Sequence, residues 1–158
     1  MKKIGLLGCG AIGTQIALAI DAKKINAELT HIYDSDETKA QALSSKLIIK
    51  PVIVANPHLL SSNNVDIVVE AASQDAVKNH ALSILQNKKD LLIMSVGALL
   101  DESVFDILID ACEEFKKKIY LPSGAIAGLD AIKSVKNELE SVCLVTTKNP
   151  KALTGARS

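Results

Sequence analysis

Apolar and polar positions along the first 120 residues alternate between short buried runs and stretches with helical spacing. Residues 3–8 and 28–33 ("ELTHIY") read as strands, and 11–23 and 36–46 read as the helices that follow them. The pattern blurs over 47–64, where "LIIKPVIV" has strand character interrupted by Pro51 and "NPHLLSSNN" reads as loop or a short helical turn. It then resumes as strand 65–71 ("VDIVVEA"), helix 74–86, strand 90–95 ("DLLIMS"), helix 101–116 and a short strand at "KIYL". The helix at 74–86 gathers Val77, Ala81, Ile84 and Leu85 on one face, and the helix at 101–116 gathers Val104, Leu108 and Ala111. Strands that alternate with helices of this length predict an α/β fold: a parallel sheet covered on both faces.

Three glycines, Gly8, Gly10 and Gly13, fall where the first strand passes into the first helix. A tight turn alone would account for one of them. The context supports more: a buried strand before, a helix at once after, and Asp34 ending the second strand 21 residues past Gly13. This predicts a Rossmann-type doubly wound sheet with a dinucleotide cradle formed by Gly8, Gly10, Ala11, Ile12 and Gly13. Gly8 would allow the turn, Gly10 the approach of a pyrophosphate, and Gly13 close packing of helix on strand. The helix amino terminus would add free amides and a partial positive charge. No Gly-Lys-Ser/Thr follows, so a nucleoside-triphosphate loop is excluded.

Asp34 can accept hydrogen bonds from both ribose hydroxyls and would repel a 2′-phosphate, which favours NAD while leaving NADP possible. Asp34 and Asp36 could also cap the next helix, with Asp36 the better placed. Small residues end the next two strands: Ala71, Ala72 and Ser73, then Ser95, Gly97 and Ala98. At the carboxyl edge of a parallel sheet they would leave room for a cofactor, although Ser73 could equally be a helix cap. In "LPSGAIAGLDAIKSVKNE" the residues Ser123, Gly124 and Ala125 start a further helix with amides almost bare of side chains, suited to a ligand or to close packing.

Composition narrows the partners. Lys+Arg and Asp+Glu number 18 each, and aromatic residues make up 3%, so a nucleic-acid interface is not expected. The scattered Cys9, Cys112 and Cys143 suggest neither a disulfide framework nor a metal site, and fit a reducing cytoplasm. No window approaches a membrane span. Cys9, at a helix amino terminus, could be an activated thiolate or a small filler of the glycine turn. His31, His58 and His80 read as structural, and Arg157 is the single arginine.

In order along the chain, "GCGAIG", "VEAASQDAV" with "HALSIL", "SVGAL", "SGAIAGLDAI" and "SVCLVTTKNP" resemble the amino-terminal portion of the L-aspartate dehydrogenase family. The glycine motif is widespread, whereas the pairing of "EAASQ" with "SGAI.GLDA" is far more specific; Ala127 stands where that family has glycine. The resemblance implies NAD(P)-dependent oxidation of L-aspartate to iminosuccinate, which can hydrolyse to oxaloacetate and ammonia or feed NAD biosynthesis. A homo-oligomer, as a dimer, is expected as well. In that family a second α/β domain supplies the catalytic histidine. The expected organisation here is therefore a dinucleotide-binding domain over 1–121 and the start of a second domain over 122–158, with catalytic residues unknown and turnover absent from the chain as it stands. Two alternatives stay open: a stand-alone NAD-binding module, and a homoserine-dehydrogenase-like reductase. The β-rich run "SVCLVTT" is expected to be a late strand through which copies associate.

Overall fold

The computed structural model describes residues 1–62, 64–123, 129–143, 145 and 147. Two compact units divide it, Met1–Pro122 and Ser123–Ser158. The first contains strands β1 (Lys2–Leu7), β2 (Ala27–Tyr33), β3 (Val52–Ile53), β4 (Ile67–Glu70), β5 (Asp90–Ile93) and β6 (Ile119–Tyr120). Between them run helices α1 (Ala11–Asp21), α2 (Glu37–Lys46), α3 (Gln74–Gln86) and α4 (Glu102–Phe115), with 3-10 turns at Pro57–Ser61 and Val96–Leu100. The strands form one sheet in the order β3-β2-β1-β4-β5-β6, and every pairing is parallel. This is the doubly wound arrangement, with its topological switch between β1 and β4.

Alternation along the strands sends side chains to two cores. Ile4, Leu6, Leu29 and Ile32 pack with Ala17 and Ile20 of α1 and Ala40 and Leu43 of α2. Leu7, Val68, Leu91 and Ile93 join the other core, with Val77, Ala81, Ile84 and Leu85 of α3 and Leu108 and Ala111 of α4. Fully buried side chains such as Leu6, Ile32, Leu85 and Ile93 each contribute on the order of 1.5–3 kcal/mol. The helical faces expected at α3 and α4 are the faces buried.

Local chemistry trims the expected boundaries. α1 stops at Asp21 because Lys23 takes a left-handed conformation, φ 58°. The Asp21 carboxylate accepts the amides of Ile48 and Ile49, tying down the segment after α2. The unclear region resolves into a two-residue edge strand just after Pro51, where a missing N–H costs little. The 3-10 turn at Pro57–Ser61 follows, capped by Asn56 through the amide of His58. No charged or polar pattern announced the second 3-10 turn, Val96–Leu100, which carries the chain from β5 to α4.

The second unit contains a short helix, α5 (Leu129–Ser134). The expected late strand is not formed by Ser141–Cys143, Val145 or Thr147, which have no regular structure. A β-branched run supplies propensity only, and a strand exists through its ladder bonds. Leu144 and Thr146 of that run lie outside the described residues, as do Gly124 and Ala125.

Candidate cofactor site

The turn from β1 to α1 is shaped by contacts that exclude side chains. Gly8 has φ 102°, and a Cβ there would lie 2.7 Å from the backbone carbonyl of Ala71 at the end of β4. A Cβ on Gly13 would overlap the carbonyl oxygen of Gly8. Gly10 differs: a Cβ would meet nothing within 4 Å. Gly10 is the N-cap of α1 and no side chain caps that helix, so the amides of its first turn have no intrahelical acceptor. The Gly8 amide donates to the carbonyl of Tyr33 at 2.8 Å, locking the turn to the end of β2. Ala11 and Ile12 are exposed beside it, Ile12 by 51%.

Cys9 is buried, its Sγ 3.7 Å from the Tyr33 carbonyl oxygen. Burial, reinforced by the negative charge of Asp34, pushes its thiol up to about 12. The thiol is thus a protonated filler of the turn and not a nucleophile.

Asp34 follows β2 directly and braces the same turn. Its Oδ2 accepts the Cys9 amide at 2.7 Å, and its Oδ1 accepts the Asp36 amide at 2.9 Å. Each carboxylate oxygen keeps further acceptor capacity. A hollow of about 290 Å³ lies beside it, lined by Tyr33, Asp34, Ser35, Glu37, Ile53 and Val54. Asp36 is the residue that caps α2. Its carboxylate accepts the Thr38 amide at 3.1 Å, and hydrogen bonding by Thr38 lowers its pKa. The two aspartates therefore divide the roles that local spacing leaves shared. A larger cavity, about 510 Å³, sits at the opposite edge of the sheet around Ile20, Ile25, Leu29 and Ile49, away from the glycine turn.

At the ends of β4 and β5 the expected small residues meet a carboxylate that the spacing of those residues did not reveal. Glu70, the last residue of β4, is 1% exposed. Its Oε1 accepts the Ala72 amide at 2.7 Å and the Ser95 hydroxyl at 2.8 Å, and its Oε2 accepts the Ser95 amide at 3.0 Å. A charged residue closing an apolar run was the available signal. Ser73 caps α3 by accepting the Ala76 amide at 3.1 Å, so the capping role is realised. Ser95 faces Glu70, and Gly97 leaves room for the Gln74 side chain.

Ser123 is exposed and belongs to the second unit. His31 lies mid-strand in β2 opposite Gly5 of β1, His58 in the first 3-10 turn and His80 within α3, so none stands at the carboxyl ends of the strands. His58 and His80 meet edge to face, ring centroids 6.4 Å apart. Among the described residues no group of three or more His, Cys, Asp or Glu side chains could hold a metal ion. Nor is any described helix long and apolar enough to cross a membrane.

A glycine turn braced by an aspartate, at the switch point of a doubly wound sheet, is the geometry of a dinucleotide-binding domain. The family described as homoserine dehydrogenase, NAD binding domain, matches residues 8–122. The chain belongs to this family. It is 66% identical over 157 residues to an L-aspartate dehydrogenase of Nitrosopumilus maritimus, covering 99% of this chain and 58% of that protein. It is 47% identical to an L-aspartate dehydrogenase of Methanocaldococcus jannaschii, with the same two coverages. A solved aspartate dehydrogenase of Thermotoga maritima matches with TM-score 0.65 and 30% identity, over 87% of this chain and 52% of that one. The resemblance read from the motifs is thus borne out, while the chain spans little more than half the length of these relatives. A match to an NAD-binding domain does not separate aspartate from homoserine, because the glycine turn reads the nucleotide and not the substrate.

Proposed function

We propose that residues 1–122 hold NAD(H) for an oxidoreductase acting on L-aspartate, and that residues 1–158 alone bind the cofactor without meaningful turnover. The observation that carries this is the Asp34 carboxylate bonded to the Cys9 amide, which sets a ribose acceptor against the turn whose free amides suit a pyrophosphate. Gly10, with open space where a Cβ would stand, fits the close approach of a phosphate. Ala71, Ala72, Ser73, Ser95 and Gly97 line the strand ends where the second nucleotide would pass. When bound, the nicotinamide supplies the hydride acceptor for the substrate α-carbon. The substrate is assigned from the aspartate dehydrogenases to which the chain is 66% and 47% identical. A small-molecule substrate, a cytoplasmic setting and a dimer complete the reading.

Aspartate oxidation also needs a base near the amine and cations for two carboxylates. The three histidines lie away from the strand ends, and Arg157 is the single arginine. Loss of acid–base help alone removes ~10²–10⁴-fold in rate. Calorimetric titration with NADH and a steady-state absorbance assay with aspartate and NAD, on one preparation, test both halves. Binding without turnover is expected. Absence of NADH binding would refute the cradle, and turnover near one per second, within the ordinary range of ~1–10³ s⁻¹, would refute the division between binding and chemistry. Replacing Asp34 by Ser and Ser35 by Arg should move preference toward NADP, and a wild type that already prefers NADP would sink the role given to Asp34.

A further inference from the structure

Glu70 is a buried carboxylate that the cradle itself does not use. It closes β4, is 1% exposed, and receives three donors: two amides and a hydroxyl, all neutral. Each of its two carboxylate oxygens accepts a backbone amide, and the Ser95 hydroxyl, which can donate or accept, completes the set. Among the described residues no lysine, arginine or histidine forms an ion pair with it. A buried anion without a cation is an expensive feature to retain.

Its place in the fold suggests what the charge meets. A doubly wound sheet is built of two mononucleotide-binding halves. Asp34, at the end of β2, marks the half that takes the adenosine ribose, and β4 opens the other half, toward the nicotinamide end. The oxidised nicotinamide ring carries a positive charge and the reduced ring carries none. In a low-dielectric setting a fixed charge acts over longer distances than one at the surface.

We propose that Glu70 is a specificity-determining residue that discriminates the oxidised from the reduced cofactor through its carboxylate charge, while its three hydrogen bonds fix the Ala72 and Ser95 loops. The inference rests on the proposed cofactor reading and adds a preference for redox state to it. It differs from a purely structural clamp in a measurable way: a clamp affects every ligand alike, whereas a charge acts on the charged ring.

The test is titration of residues 1–158 with NAD+, NADH and ADP-ribose, which lacks the ring, comparing wild type with Glu70→Gln and Glu70→Asp. Wild type should bind NAD+ at least about threefold more tightly than ADP-ribose. Glu70→Gln should weaken NAD+ about tenfold relative to NADH and leave ADP-ribose within about twofold. Glu70→Asp retains the charge and should preserve the ratio of NAD+ to NADH affinity even where both weaken. Equal weakening of NAD+ and NADH in Glu70→Gln, or a ratio lost in Glu70→Asp, would overturn the proposal. Should Glu70→Gln fail to fold by circular dichroism, the wild-type affinities for NAD+ and NADH are compared, and a wild type that binds NADH as tightly as NAD+ overturns the proposal. Wild type binding ADP-ribose and NAD+ equally would refute the charge effect but leave the cradle standing. Binding of none of the three would remove the cofactor reading itself.

Discussion

Three glycines in six residues have three different physical reasons. Gly8 is required by its positive φ and by the backbone of Ala71, and Gly13 by the carbonyl of Gly8. Gly10 is required by nothing inside the protein. Gly10→Ala should therefore fold with stability within ~1 kcal/mol of wild type, since an uncapped N-cap loses little. It should nevertheless weaken NADH binding at least about tenfold if the open space belongs to the phosphates. Gly13→Ala forces backbone against backbone and should cost roughly 2–4 kcal/mol. Urea midpoints paired with NADH titrations check the contrast, and a Gly10→Ala protein that binds as well as wild type would count against the cradle.

Helices α1, α3 and α4 share an ending. Lys23, Lys88 and Lys116 have φ 58°, 59° and 53°, the left-handed conformation that usually falls to glycine. Lysine suits the negative end of the helix dipole but bears the steric cost of a Cβ in this region, roughly 1–2 kcal/mol. At Lys116, the C-cap of α4, the steric term outweighs an exposed dipole interaction of ~0.3–1 kcal/mol. Lys116→Gly should raise stability by about 0.5–1 kcal/mol, seen as a higher urea midpoint at unchanged slope. A lower midpoint would mean that the cation contributes more than the strain removes. Beyond this cap, the Lys118 amide and the Lys117 ammonium both reach Asp90 at the start of β5.

For the molecule as a whole, the titrating groups set a two-stage acid response. Burial lowers the pKa of His31 and His80, and in His80 the neighbouring His58 adds to it. A histidine held neutral in the folded state contributes no penalty above its unfolded value near 6.5, and its destabilisation grows as pH falls from there toward the lowered folded value. Asp101 runs the other way in charge but the same way in pH. The hydrogen bonds of Lys78 and Ser103 lower it to about 2, so its contribution is complete above about 4 and is lost as pH falls through about 2. Thermal midpoints should be flat from pH 7 to 8, begin to decline as pH falls below about 6.5, and decline again below about 4. His80→Gln should flatten the first decline and leave the second. An unchanged first decline would assign that step to other groups.

Much of the fold was legible in the residues taken one at a time. The strand-to-helix rhythm, the glycine turn, the Asp36 cap and the buried faces of α3 and α4 all follow from spacing and side-chain chemistry within a few residues of each other. What the chain order could not display depends on which strands become neighbours. Glu70 and Ser95 are separated by 25 residues and meet because β4 pairs with β5. Gly8 is pressed against Ala71 because β1 lies between β2 and β4. Asp34 reaches Cys9 because β2 pairs with β1. The two-residue strand β3 was obscure because its strand character comes from the exposed edge of β2, not from its own length or period. "SVCLVTT" errs in the opposite sense, with strand propensity but no ladder at Ser141–Cys143. Local spacing determines what a segment can become; adjacency in the sheet, which local spacing does not encode, decides which carboxylate meets which amide.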